Sequence, residues 1–428
     1  MVTAALFIGL FVFIILEVPV GIAIGLSSLL AILVGDSLAP GYLARQLVVG
    51  TDSFPIMAIP LFILAGDLMA AGGVSRRILD VANVFFGRIT GGLAIVTVVV
   101  CMFFAAVSGS GPATVAAVGS MVVPTMLQKG YSKSFTLALI ATAGSIGVII
   151  PPSIPMVIFG VSTGTSISSL FLAGFFPGFL IGFALILYCY YYCKKMGWKG
   201  DTTPFSWHRA GAALWSAKWA LINPLIILGG IYGGVFTPTE AAAVAGVYAL
   251  ICGTLLHREL NLKTVLQPIA NSCSTTGTTM VILGCATAFA KILTMEQVPV
   301  MVTETLTGLT SNPILILLLI NILLLIVGCF MDTTPAILVL SPILLPVALS
   351  VGIDPIHFGI IMVVNLAIGF ITPPLGINLF VASRVGSTGL DTVTRGIIPF
   401  ILVMIVCLLL ITYIPDITLS IFDLIGKK

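Results

Sequence analysis

Two hydrophobic stretches of this chain, one in each half, are broken by the same succession of turn-forming residues. In the first half SGSGPAT (Ser108 to Thr114) is followed by Pro124 and by IIPPSIP (Ile149 to Pro155). In the second, MDTTPA (Met331 to Ala336) is followed by Pro346 and by ITPPLG (Ile371 to Gly376). Nearly the same interval of chain separates Pro112 from Pro335, Pro124 from Pro346 and Pro151 from Pro373. Inside a bilayer every backbone N–H and C=O needs a partner, so such breaks survive only where they line a protected cavity or bind something. Paired breaks in the two halves of a membrane protein point to a transport site between them.

Composition supports a membrane setting. Of 428 residues, 59% are hydrophobic and only 8% charged, against about a quarter charged in a soluble domain. Apolar runs of spanning length recur throughout. The net charge of +3 is scattered over short loops, and no basic, aromatic-interleaved surface of the kind nucleic acids require is present. Most of the eight cysteines lie in apolar runs without CxxC pairing and read as buried thiols. The three histidines are far apart and form no HExxH motif, which argues against zinc chemistry. Val2 to Leu16 has no basic leader and no small-residue cleavage site, so it reads as a retained helix.

The fold expected is an all-α polytopic membrane protein. Candidate spans in the first half are Val2 to Leu16, Pro19 to Val34, Phe54 to Ala71, Gly92 to Val107, Ser134 to Gly164 (broken at Pro151-Pro152) and Ser168 to Cys193. The second half offers Trp219 to Val235, Pro238 to Leu256, Ser272 to Leu293, Pro313 to Phe330, Ile356 to Ser383 (broken at Pro373-Pro374) and Ile397 to Ile414. The first two spans are short for a hydrocarbon core of about 30 Å, and stand as two tilted helices or one fused one. Residues 1–195 and 219–428 are read as two repeats joined by the polar linker 196–218.

Basic residues fix the orientation. Lys194, Lys195, Lys199, Arg209 and Lys218 put the linker in the cytoplasm. Counting outward from it, the hairpin flanked by Arg88 and Lys129 opens from the cytoplasmic side. The hairpin around Asp332 opens from outside. Five crossings plus one re-entrant hairpin per half invert the second copy relative to the first. Lys427 and Lys428 fall outside in this scheme, against the rule. Arg76 to Arg88 and Asn261 to Gln267 are amphipathic and are expected either to lie along the interface as connecting arms or to be short solvated loops.

The two tips carry the candidate chemistry. Gly109 and Gly111 permit a strained turn, and Pro112 suits the first turn of a helix. A helix starting there points free N–H groups and its positive dipole end at the turn, which suits an anion. Ser108, Ser110 and Thr114 add hydroxyl oxygens fit for a small hard cation, and Asp332, Thr333 and Thr334 repeat the arrangement with one negative charge added. Ser153, Thr372 and Asn378 are the polar groups beside the double-proline breaks. Asp332 is the strongest ionisable candidate, as a cation ligand or a helix cap. Asp67 and Lys291, near helix ends, read more simply as snorkelling groups. Glu17 and Glu240 adjoin prolines at helix junctions and read as scaffold.

These residues resemble the DctM-like large membrane subunit of tripartite ATP-independent periplasmic (TRAP) transporters. The likeness is carried by SFPIMAIPLFILAGDLM (Ser53 to Met69), the SGSGPAT tip, IIPPSIPMVIFGVSTG (Ile149 to Gly164), GVFTPTEAAAV (Gly234 to Val244), MDTTPAILVLSPILLP (Met331 to Pro346) and ITPPLGINLFV (Ile371 to Val381), and so covers essentially the whole chain. It implies the ion-transporter-superfamily elevator fold with inverted-topology repeats, two re-entrant hairpins and two broken helices, set in a bacterial inner membrane. It also implies sodium-coupled uptake of an organic acid such as sialic acid or a C4-dicarboxylate. Two partners come with it: a small four-helix DctQ-like membrane subunit, expected as a separate chain, and a DctP-like periplasmic binding protein. By the resemblance, sodium would sit near Ser108, Gly109, Ser110, Thr114 and Ser153 on one side, and near Asp332, Thr333, Thr334, Thr372 and Gly376 on the other. The substrate would lie between, reached by Ser108, Ser110, Pro112, Thr114, Ser153, Asp332, Thr333, Thr334 and Asn378. Related sodium/dicarboxylate symporters carry a Ser-Asn-Thr signature at their tips that this chain lacks, so their carboxylate contacts do not transfer. The rival readings are an ion-coupled transporter or antiporter working without a binding protein, a passive channel, and a membrane hydrolase. The hydrolase would need a base beside Ser108 or Ser110 that the sequence does not provide.

Overall fold

The computed structural model describes residues 1–35, 39–201, 205–310 and 312–425, with backbone alone for 424 and 425. Lys427 and Lys428, whose side of the membrane bore on the topology, lie outside the described residues. Among those described the regular structure is helical throughout. In the first half the helices are α1 (Val2–Ile15), α2 (Val20–Gly35), α3 (Gly41–Val49), α4 (Ala58–Ala71), α5 (Val74–Phe86), α6 (Gly92–Ser108), α7 (Gly111–Gln128), α8 (Lys133–Ser145), α9 (Ile154–Thr163), α10 (Ile167–Ala173) and α11 (Phe175–Met196). The second half contains α12 (Trp207–Tyr232), α13 (Pro238–Ile251), α14 (Leu266–Met295), α15 (Val298–Leu309), α16 (Pro313–Phe330), α17 (Thr333–Ser350), α18 (Pro355–Gly369), α19 (Ile377–Val385), α20 (Leu390–Tyr413) and α21 (Asp416–Ile425). Among the described residues, eight helical segments are long and apolar enough to cross a membrane.

Local chemistry sets most boundaries. Asn312 and Asp354 cap α16 and α18 through their side chains, each followed by a proline at the first helical position. Thr237 and Glu240 satisfy each other's backbone N–H in a capping box that opens α13. The short opening spans are two helices: Glu17, at φ 60°, turns the chain before Pro19, and α2 packs back on α1. Gly9 makes that approach close, since a Cβ there would lie 3.1 Å from Leu30.

Three details sharpen the expectations. Within the linker read at 196–218, α12 is already helical from Trp207. The crossing expected at Ser272 to Leu293 extends to 30 residues in α14, about 45 Å at 1.5 Å per residue. Of the two readings of Asn261 to Gln267 the short loop holds up to α14: the Asn261 side chain accepts from the N–H groups of Lys263 and Thr264 in a tight turn. The counterpart of the arm α5 is α15. The interval from Val74, where α5 begins, to Val298, where α15 begins, is nearly the one that separates the two tips.

Two groups of helices emerge. In one, α2 packs on α14 and α4 on α13. Here Gly21 and Gly25 leave no room for a side chain, their Cβ positions falling 2.5 Å from Ile282 and 2.8 Å from Cys285, the small-residue contact membrane helices favour. In the other group the hairpins and broken helices interlock, α7 on α19 and α17 on α9. Gly328 of α16 meets Gly369 of α18, where a Cβ on Gly369 would fall 2.4 Å from the Gly328 carbonyl oxygen. A buried polar chain adds to this crossing: Asn365 donates to Asn321 at 2.6 Å and Asn321 to Thr412 at 3.1 Å, while His357 bonds Thr418 at 2.7 Å. Gly369→Ala is expected to cost about 1–3 kcal/mol of stability, because rigid backbone cannot yield to the added methyl. Gly229→Ala, with nothing within 4 Å of its Cβ position, is expected to be neutral or to raise stability by a few tenths to about 1 kcal/mol. Thermal unfolding in detergent separates the two, and equal melting temperatures would contradict the packing account.

Candidate functional site

The two hairpin turns are built alike. α6 ends at Ser108, Gly109 turns at φ 61°, and Ser110 caps α7 by accepting from the Ala113 N–H. Across the repeat, α16 ends at Phe330, Met331 is extended, and Asp332 caps α17, its Oδ1 accepting from the Thr333 N–H at 2.6 Å. α7 and α17 are each 18 residues long and start at equivalent places in the two halves. The double-proline breaks follow at the same offset, Pro151-Pro152 and Pro373-Pro374 both cis. After the first of them Ser153 caps α9 by accepting from Met156.

Both tips line one cavity of about 330 Å³. Its wall includes Ser108, Gly109, Ser110 and Pro112 from the first hairpin and Asp332, Thr333 and Thr334 from the second. The first turn of α9 contributes Ile154 and Pro155. Three helix N-termini therefore converge there, each bringing a partial positive charge, although at α9 the N–H groups of Ile154 and Met156 are already taken by the Gly109 carbonyl and Ser153 Oγ. The remaining sequence candidates stand behind the wall. Thr114 is buried, with its hydroxyl donating to the Ser110 carbonyl at 2.7 Å and lying 3.0 Å from Ser108 Oγ. Ser153 donates to the Val148 carbonyl at 2.5 Å, Thr372 to its own helix at Ile368, and Asn378 to Ala141 at 3.0 Å. Gly376 sits at φ 30° at the start of α19.

Sequence reasoning missed the opposite wall. Asp67 of α4 and Thr275 and Thr279 of α14 line the same cavity, and Asp67 Oδ2 accepts a hydrogen bond from Ser272 at 2.7 Å. Snorkelling is thus the wrong account of Asp67, which faces inward because its helix face, with Ile63 and Gly66, is the cavity face. Lys291 is exposed. The signal was blurred: Ser272, Thr275 and Thr279 fall at helical spacing, but Asn271, Ser274, Thr276 and Thr278 make the other faces of that stretch of α14 polar too.

The first tip fits a small hard cation. Ser108 Oγ, Thr114 Oγ1 and the Ser110 carbonyl oxygen lie within 3.3 Å of one another, a concentration of oxygen donors. Beside them, against Gly111, the buried Asn378 Oδ1 has no hydrogen-bond partner among the described residues. The cavity wall carries two carboxylates and, among the described residues, no Lys, Arg or His.

Residues 7–417 match the family described as the tripartite ATP-independent periplasmic transporter, DctM component. The chain belongs to this family. It is 50% identical over 405 residues to the isethionate TRAP transporter permease protein DctMQ of Oleidesulfovibrio alaskensis, covering 95% of this chain and 64% of that relative's length. The C4-dicarboxylate TRAP transporter large permease protein DctM of Pseudomonas aeruginosa is 42% identical, with 95% of each chain covered. The sialic acid TRAP transporter large permease protein SiaM of Vibrio cholerae is 38% identical over 95% of each. The YdaH transporter of Alcanivorax borkumensis shares the fold, with a TM-score of 0.59 at 17% identity over 90% of this chain and 89% of that one. As a DctM family member the protein is a multi-pass membrane permease component, not an enzyme.

If Asp332 is the cap of α17, Asp332→Ala costs about 1 kcal/mol and Asp332→Asn recovers most of it, because Asn also caps. Thermal unfolding checks this; equal losses in the two variants would remove the capping role.

Proposed function

We propose that the chain is the membrane subunit through which a small organic acid is imported with sodium. The tips carry the cargo, and the helices bearing them slide against α2, α4, α13 and α14 in an elevator movement. A periplasmic binding protein delivers the acid, and a small four-helix membrane subunit completes the permease, either as a separate chain or fused. The observation that carries the reading is the charge of the cavity. An anion entering a wall with Asp67, Asp332 and, among the described residues, no basic side chain has helix N-termini and co-bound cations to hold it. Sodium at the hydroxyl-rich tips supplies the positive charge. At least two sodium ions per cargo would also offset its charge against the membrane potential, worth about 2.3 kcal/mol per charge per 100 mV.

The sliding movement is supported by an asymmetry between the repeats. The arm α5 packs on α6, whereas its counterpart α15 packs on α17. Equivalent arms gripping opposite limbs of equivalent hairpins is what a body displaced from the midpoint produces. For the cargo, the relatives named for isethionate, C4-dicarboxylates and sialic acid point to small organic anions, sulfonates included.

Reconstitution of the chain with its small subunit tests the reading, using labelled isethionate, succinate and sialic acid with their binding proteins. Uptake is expected only with an inward sodium gradient and binding protein present. Ser108→Ala and Asp332→Asn are expected to raise the half-saturating sodium concentration about tenfold, the loss of roughly 1.4 kcal/mol of contact energy. Equal uptake in potassium would remove sodium coupling, and uptake without a binding protein would favour the stand-alone transporter.

A further inference from the structure

The wall facing the hairpin tips is fixed to the other group of helices and holds one charged side chain, Asp67. Ser272 of α14 holds its Oδ2 at 2.7 Å, and Thr275 and Thr279 continue the same face of α14 along the cavity. Asp67 lies one turn before the end of α4 at Ala71. That end leads directly into Arg76 and Arg77 of α5, and α14 begins just after His257, Arg258 and Lys263. These basic residues mark the cytoplasmic side, so Asp67 stands toward the cytoplasmic end of α4, level with the first tip, where its neighbour Gly66 meets Ser108. Its charge has no cationic partner on the cavity wall among the described residues. The neighbouring Arg77 is engaged with Glu259 at 2.6 Å.

We infer that Asp67 is an electrostatic valve on the cytoplasmic exit, repelling anionic cargo that would refill the site from inside while leaving outward-to-inward delivery to the binding protein. The inference rests on the reading of the cargo as an organic anion. A unit charge about 10 Å from a bound anion, in a dielectric between protein and water, changes its occupancy on the order of fivefold per cargo charge. A dianion is therefore held back more than a monoanion. Neutral solutes pass without discrimination. A carboxylate kept only for packing would not sort ligands by charge.

The test uses the complete transporter in proteoliposomes, with binding protein outside so that only correctly oriented molecules are loaded. Uptake is measured against increasing lumenal isethionate or succinate. Whatever Asp67→Asn does to the initial rate, the lumenal concentration that halves uptake is expected to fall about fivefold for isethionate and about 25-fold for succinate. Asp67→Glu and Ser272→Ala, which keep the charge, are expected to stay within about twofold of wild type. Thr275→Asp, adding a charge to the same wall, is expected to raise the half-inhibitory concentration several-fold, and serves if Asp67→Asn does not assemble. Equal values in Asp67→Asn and wild type, or an equal fall in Asp67→Glu, would overturn the valve while leaving sodium-driven import standing. Absence of anion uptake by the wild-type transporter would overturn the import reading and the valve with it.

Discussion

The main-chain polarity of the two hairpin tips is the constraint from which the rest of the architecture follows. A helix that stops halfway through an apolar medium leaves its first N–H groups without intrahelical partners. Here Ser110 and Asp332 satisfy part of that demand, and the remainder faces a shared cavity. To keep this cavity away from lipid, the hairpins are wrapped by the broken helices of the opposite repeat, α19 on α7 and α9 on α17. Those helices are themselves broken at matched proline pairs, so each half of the chain supplies what shields the other.

Much of this was legible in the residues. The breaks at SGSGPAT and MDTTPA, and the double prolines after them, marked the positions of α7, α9, α17 and α19 closely, because Gly and Pro act locally and their effect does not depend on distant packing. What was lost depended on packing. Asp67 could be placed on a helix near its end, but whether that face met lipid, water or a cavity was decided by α14, which belongs to the other half of the chain. The arm α15 was missed for a related reason. Its sequence is more apolar than that of α5, so it lacks the basic stripe that made the first arm visible, and only the repeat offset marks it. Thr114, Ser153, Thr372 and Asn378 were singled out with the tips, yet stand one layer behind the wall, where they anchor the turns to neighbouring backbone.

Charge is distributed in a way that composition alone does not reveal. The basic residues of the chain collect at loops and helix ends, where they set orientation, and the cavity keeps two carboxylates and a set of hydroxyls. A site of this kind discriminates against a bare anion and favours one accompanied by cations.

One contact near the first tip has a mechanical consequence. Gly66 of α4 lies so near Ser108 that a Cβ there would come within 3.0 Å of its Cα. Where hairpin and wall touch, α4 thus offers smooth main chain in place of interlocking knobs. Knobs lock two surfaces in register. On the proposed sliding movement a bare track would let one glide over the other, and a single methyl group at this point would work as a brake.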